Sequence, residues 1–278
     1  GTGLNFLVTC CDWDETAPPD GILHYTAIEG YPMSAEILHR AVGHIPEMAL
    51  YADELIDKWP PLVKGTHRLV MNHGRIHLTL IFGDVDDVLA GISGHFDAWY
   101  LDGFSPAKNP GMWASDVLSQ VRALSAEGAR IATFTAAGHV RRTLAELGFE
   151  VQKRPGFGHK RDCVSAKLPQ GEISPSKSKT VAVIGAGIAG AVLVRALNVR
   201  GHKPTLIDAA ELTGAAASGN PVALIAPRLT RERVPMGRII ASAYLHAVRF
   251  YDGLQDTGGD PWIGERGSYV MAQNDDEV

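Results

Sequence analysis

The stretch that most constrains this chain is Val181-Ala182-Val183-Ile184, which runs straight into Gly185-Ala186-Gly187-Ile188-Ala189-Gly190. An Ala/Leu-rich segment follows, and Asp208 falls 23 residues after Gly185. Strand, glycine turn and helix in that order predict a strand over 180–184, a helix over about 188–200 and a strand over 204–208. Each glycine has its own task. Gly185 makes the tight turn, Gly187 lets backbone approach a pyrophosphate, and Gly190 allows close helix–strand packing. The helix start presents unpaired N–H groups and a positive dipole end to phosphates. Asp208, at the next strand's end, suits the hydroxyls of an adenosine ribose. The pattern predicts a dinucleotide site but leaves NAD and FAD unseparated. Downstream, Gly214-Ala215-Ala216-Ala217-Ser218-Gly219-Asn220 supplies small residues, with Ser218 and Asn220 able to line a flavin or its pyrophosphate.

Upstream lies a second α/β unit. A helix is expected over 4–13, entered from a Gly-rich turn, then a strand over 22–29 ending on Glu29. Helices over about 33–43 and 46–59 are stopped by Pro60-Pro61. Strands over 68–72 and 75–82 pair across the turn-like His73-Gly74. A helix near 86–92 precedes a strand over 96–102 that ends on Asp102. A helix over 114–126, a strand over 129–135, a helix over 138–147 and strands near 149–154 and 162–168 complete the unit. Such alternation implies a mainly parallel, doubly wound sheet with helices on both faces and an antiparallel edge. Residues 169–179, PQGEISPSKSK, read as a linker. The division is thus 1–168, 169–179 and 180–278. Gly1-Thr2-Gly3 at one end and Asp275-Asp276-Glu277-Val278 at the other read as cuts through folded domains, so both units are expected to be truncated.

The first unit's chemistry lies where its strands end. In a doubly wound sheet, ligands bind beyond the carboxyl ends of the strands, and Glu29, Asp84 and Asp102 stand at three of them. Gly1 and Gly3 read as the tail of a G-x-G-x-G loop. Glu29 suits a ribose diol, Asp84 an adenine amino group, and Asp102 the methionine amine of S-adenosylmethionine or an incoming nucleophile. Leu101-Asp102-Gly103-Phe104-Ser105-Pro106 is the segment expected to carry a methyl transfer. An attacking amine must be neutral, held in line and relieved of a proton, which a carboxylate beside an aromatic and a tight turn can arrange. The segment is similar to the acid-Pro-Pro-aromatic loop of amino-directed methyltransferases, with Gly103 in place of the first Pro.

Lys153, Arg154, Lys160 and Arg161 crowd into residues 151–161 with Phe157, two glycines and no acid. That composition can grip a phosphate backbone and stack a base. The formal charge of −5 argues against a generic nucleic-acid coat. Hydrophobic residues make up 45% and no apolar run approaches the ~18 residues of a membrane span. Three cysteines form no disulfide framework, and reduced cytosolic thiols are expected, with Cys10 and Cys11 as packing residues. The histidines are scattered without metal-ligand spacing, so no metal site is expected.

Taken together, Phe96 to Trp113 (FDAWYLDGFSPAKNPGMW), Gly1 to Leu7, Glu29-Gly30-Tyr31-Pro32 and Thr133 to Gly138 with Val140-Arg141-Arg142 resemble the bifunctional tRNA 5-methylaminomethyl-2-thiouridine biosynthesis family. The resemblance continues through Lys153 to Gly158, Lys160-Arg161, the glycine loop and Ala217 to Asn220. It implies an S-adenosylmethionine-dependent methyltransferase followed by the start of an FAD-dependent Rossmann-like oxidoreductase, acting in the cytoplasm on the wobble uridine of tRNA. The flavin unit would remove a carboxymethyl group from 5-carboxymethylaminomethyl uridine, and the methyltransferase would then methylate the exposed amine. Two other readings stand beside it: a methyltransferase fused to a small-molecule NAD or FAD oxidoreductase, and a non-catalytic tRNA adaptor.

Overall fold

The computed structural model describes residues 1–158, 161–171, 180–227, 235–254 and 261–263. Lys160 and most of the expected linker lie outside them.

Helix α1 (Leu4–Thr16) starts from Gly3 in the left-handed conformation, φ 75°, with Leu7 N–H donating to the Gly3 carbonyl. A side chain at Gly3 would be strained there. The helix runs one turn past the expected end and stops just before Pro18-Pro19. Strand β1 (Leu23–Glu29) follows. Helix α2 (Ala35–Val42) is capped by Ser34, whose hydroxyl accepts from Ile37 N–H at 3.3 Å, and α3 (Ala49–Asp57) ends before Pro60. Strands β2 (Gly65–Met71) and β3 (Ile76–Phe82) form a hairpin across Asn72 and His73, both at positive φ, and Gly74.

Next come α4 (Val85–Leu89), β4 (Phe96–Leu101), α5 (Ser115–Ala123), β5 (Ser125–Thr133), α6 (Gly138–Glu146), β6 (Glu150–Pro155) and β7 (Asp162–Lys167). The helix expected over 114–126 ends early, and β5 starts four residues before its expected position. Ser125 explains the join: its hydroxyl donates to the Val121 carbonyl at 2.7 Å, closing the last helical turn.

The α/β class, the β2/β3 hairpin and the antiparallel edge are as expected, but the pairing is mixed rather than mainly parallel. The strands form a three-stranded sheet, β1-β3-β2, and a four-stranded sheet, β4-β5-β7-β6. Pairing is parallel only for β1/β3 and β4/β5; β2/β3, β5/β7 and β6/β7 are antiparallel. The connections give the reason, because helical crossovers separate the parallel partners whereas turns join β2 to β3 and β6 to β7. Phe6, Leu7, Leu38, Leu55, Leu78 and Leu80 build one core between the first sheet and α1–α3. Val117, Leu118, Ile131, Val140 and Leu144 build another between the second sheet and α5–α6.

The second unit is β8 (Ala182–Ile184), α7 (Ile188–Val199), β9 (Thr205–Ile207) and α8 (Pro235–Asp252). β8 and β9 pair in parallel around α7, as the motif predicts. No helix among the described residues is long and apolar enough to cross a membrane.

Candidate functional site

The ends of β1, β3 and β4 come together at one place. Gly83 N–H donates to the Glu29 carbonyl at 3.0 Å, tying the end of β3 to the end of β1. Glu29 Oε1 accepts from Tyr31 N–H at 2.9 Å, which leaves Oε2 against the Gly1 amino group. Asn5, two residues past Gly3, donates to Asp102 Oδ2, which brings Asp102 to the start of α1 near Gly1 and Glu29. A side chain at Gly30 would lie 3.6 Å from Asp84 Oδ1, which places Asp84 beside the β1 turn. Asp84 is 66% exposed, with Lys64 Nζ 3.8 Å away. Glu29 and Asp84 therefore flank the turn after β1, with Gly1 beside Glu29.

The Asp102 loop is fixed from two sides. Asn5, in the first turn of α1, donates its amide to Asp102 Oδ2 at 2.7 Å, leaving Oδ1 unengaged. Thr9, one turn on, donates to the Asn5 carbonyl and meets the Tyr100 hydroxyl at 3.2 Å. Trp113, only 3% exposed, donates Nε1–H to the Phe104 carbonyl at 2.8 Å and stands edge-on to Phe134. The Met112 side chain fills the space that a Cβ on Gly103 would need. These contacts leave the Phe104 ring 66% exposed at the loop's tip. Trp113→Phe removes one buried hydrogen bond and is expected to cost about 1 kcal/mol, read as a lower urea midpoint with an unchanged slope.

Asn5 is a residue that the sequence reading missed. Its one signal is an amide in the first turn of an apolar helix, two residues past Gly3. Cys10 is buried and its thiol is pushed up to about 12, mainly by burial, which leaves no thiolate near neutrality.

The second site is built on the glycine loop. Gly185 has φ 99° and donates to the Ile207 carbonyl at 2.7 Å. A Cβ at Gly190 would overlap the Gly185 carbonyl oxygen, and one at Gly187 would lie 3.0 Å from Ser218 Oγ. The loop is thus a cradle that side chains would fill. Asp208 accepts from Ala186 N–H and, at 2.8 Å, from Ala210 N–H. Those backbone donors hold its carboxyl below the usual carboxylate range. Ser218 Oγ accepts from Ile188 N–H at 2.9 Å, reaching the start of α7 from 30 residues away. Asn220 is exposed beside it. These residues fit a dinucleotide: Gly185, Gly187 and Gly190 for the pyrophosphate, Asp208 for the ribose, and Ser218 and Asn220 at the rim.

The basic segment forms the β6/β7 hairpin. Lys153 is ion-paired with Asp162 at 2.7 Å, one residue beyond the acid-free window. Arg154 donates to Ser165 Oγ and Gln152 Oε1, and Gly156 N–H to the Arg161 carbonyl. Phe157 stands 97% exposed at the tip. Among the described residues no cluster of three or more His, Cys, Asp or Glu could hold a metal ion.

The two units have recognisable classes. Residues 46–169 match the S-adenosyl-L-methionine-dependent methyltransferase family, and residues 180–278 match the FAD dependent oxidoreductase family. Over 291 aligned residues the chain is 42% identical to the tRNA 5-methylaminomethyl-2-thiouridine biosynthesis bifunctional protein MnmC of Magnetococcus marinus, covering all of this chain and 44% of that protein. The protein of the same name from Marinobacter nauticus is 44% identical over 94% of this chain and 42% of its own length. The chain belongs to this family of bifunctional proteins. It spans less than half the length of these relatives. Among solved structures, MNMC2 from Aquifex aeolicus aligns at 22% identity and a TM-score of 0.48, over 63% of this chain and 53% of that one.

Proposed function

We propose that the protein carries out two consecutive steps on the wobble uridine of tRNA in the cytoplasm. Residues 180–278 belong to an oxidoreductase that removes the carboxymethyl group from 5-carboxymethylaminomethyl uridine. Residues 1–168 belong to a methyltransferase that methylates the resulting amine, and residues 169–179 link the two. What supports this reading is that Glu29 and Asp84 flank the turn after β1 while Asp102 is bonded to the start of α1, on a chain that also folds a dinucleotide loop.

In the methyltransferase, Glu29 would hold the ribose of S-adenosylmethionine and Asp84 its adenine amine, with Gly1 and Gly3 at the methionine end. The bound donor supplies an electrophilic methyl group. Asp102 Oδ1 accepts a hydrogen bond from the acceptor amine, aims its lone pair and stabilises the positive charge that grows on nitrogen. Phe104 covers the amine and keeps water from it. In the oxidoreductase, bound FAD supplies a hydride acceptor for oxidation of a C–N bond. Gly185, Gly187 and Gly190 let backbone N–H groups reach its pyrophosphate, and Asp208 orients its ribose.

The test follows the wobble nucleoside by mass spectrometry after the full-length protein acts on tRNA bearing 5-carboxymethylaminomethyl uridine. Aminomethyl uridine without S-adenosylmethionine, and methylaminomethyl uridine with it, are the expected products. An unchanged nucleoside in both samples, from folded flavin-loaded protein, would overturn the assignment.

The hairpin of Lys153, Arg154, Lys160 and Arg161, tipped by Phe157, is proposed to grip the tRNA backbone and stack on a base. Arg161→Ala is expected to weaken tRNA binding and lower the slope of log affinity against log salt by about 1. Lys153→Ala should change that slope by less than half as much, because Asp162 already neutralises it. Equal slopes for wild type and Arg161→Ala would remove the hairpin from the interface.

A further inference from the structure

Helix α1 and the end of strand β4 are joined by two side-chain rungs. Asn5 Nδ2 donates to Asp102 Oδ2 at 2.7 Å, and one turn along the helix Thr9 Oγ1 lies 3.2 Å from the Tyr100 hydroxyl. The spacings match: four helical residues rise about 6 Å, and two residues at strand pitch rise about 6.6 Å. Asn5 and Thr9 share one face of α1. They meet Asp102 and Tyr100 in reverse order, so the helix runs antiparallel to the strand.

Proton counting fixes the direction of the second rung. Thr9 has one hydroxyl proton and gives it to the Asn5 carbonyl at 2.7 Å, so the Tyr100 O–H is the donor to Thr9 Oγ1. The Tyr100 ring is placed from another side. It stacks on Tyr25 of β1 with ring centroids 6.4 Å apart, and Tyr25 stands edge-on to Phe6 of α1 at 5.0 Å. Ring packing alone would be served equally by a phenylalanine. Tyr100 is 45% exposed, so water is within reach of its hydroxyl, yet that hydroxyl lies on Thr9. Tyr100 thus ties β1 and α1 together two residues before Asp102.

Helix α1 carries more than Asn5, because it starts from Gly3, at the methionine end of the donor in the reading above. A slip of one residue moves a helix about 1.5 Å along its axis and turns it by about 100°. Asn5 would leave Asp102, and the donor loop would shift against the acceptor carboxylate. We propose that Tyr100 and Thr9 are positioning residues for methyl transfer: their hydrogen bond fixes the register of α1 on β4, and Asn5 passes that register to Asp102. The proposal rests on the methyltransferase reading above, in which Asp102 receives the acceptor amine.

The test is single-turnover methylation by the full-length protein of tRNA already carrying the aminomethyl group, with both tRNA and S-adenosylmethionine varied. Tyr100→Phe keeps the ring against Tyr25 and loses the donated proton. Thr9→Val keeps the branched shape and loses the acceptor. Each is expected to lower the methylation rate constant about tenfold, short of the roughly 100-fold loss that a 1 Å misplacement can bring. Half-saturation by either substrate should stay at the wild-type value, because the rung touches neither. Thr9→Ser, which keeps the hydroxyl, should restore most of the rate lost in Thr9→Val. Adding Tyr100→Phe to Asn5→Ala should cost nothing further, since the rung then has no amide left to place. Losses that multiply in this double variant would make Tyr100 a packing residue and overturn the proposal. Wild-type rates in both Tyr100→Phe and Thr9→Val, from an active wild type, would overturn it alone. A folded wild type that leaves this tRNA unmethylated would overturn the methyltransferase reading and this inference with it.

Discussion

Asp102→Ala in the full-length protein is expected to lose methyl transfer by about 10²–10⁴-fold, the range for a positioned group at the reacting atom, and to keep its yellow flavin. The geometry sets the size of the effect. Asp102 ends β4, Asn5 holds one carboxylate oxygen, and Trp113 pins the loop that follows. What remains is the other carboxylate oxygen, held in a fixed place beside the start of α1. Losing it removes both the orientation of the amine and the charge that steadies its transition state. Asn5→Ala should fall between wild type and Asp102→Ala, because the carboxylate survives but is free to turn. Single-turnover methylation of tRNA already carrying the aminomethyl group separates these cases from any defect in the oxidase. Methylation by Asp102→Ala at the wild-type rate would remove Asp102 from the mechanism.

Gly190→Ala should weaken FAD binding about 100-fold, or about 2.7 kcal/mol, and leave methyl transfer intact. The new Cβ would overlap the Gly185 carbonyl oxygen, which is backbone and cannot turn aside. Either the turn opens or the start of α7 moves away, and both displace the donors that face a pyrophosphate. Gly187→Ala makes a useful contrast. Its Cβ would meet only the Ser218 hydroxyl, a side chain that can rotate away. Flavin titration should therefore rank Gly190→Ala well below Gly187→Ala, and the reverse order would mean that the loop does not cradle the dinucleotide.

The dinucleotide loop was legible because its chemistry is local. Strand, glycines, helix and Asp208 lie within one short unit, and each residue's task follows from backbone geometry alone. That Glu29, Asp84 and Asp102 stand at or just past strand ends was legible for a related reason, since strand ends can be read from apolar runs. The partner of Asp102 was not legible, because Asn5 lies 97 residues away and the contact exists only after α1 docks. The antiparallel pairing of β5 with β7 was hidden too, since apolar runs show where strands are and not which neighbours they choose. Lys153 shows how narrow a window can mislead: its neutralising acid stands across the hairpin, at Asp162.

The Ile188 amide has one proton to give, and Ser218 already takes it. A phosphate arriving at the start of α7 must displace that hydroxyl or share its proton. Binding there is an exchange of acceptors rather than the filling of a bare socket, and the affinity gained is the difference between two hydrogen bonds. The Ser218 loop thus supplies, from within the chain, the acceptor that a phosphate at the start of α7 has to replace.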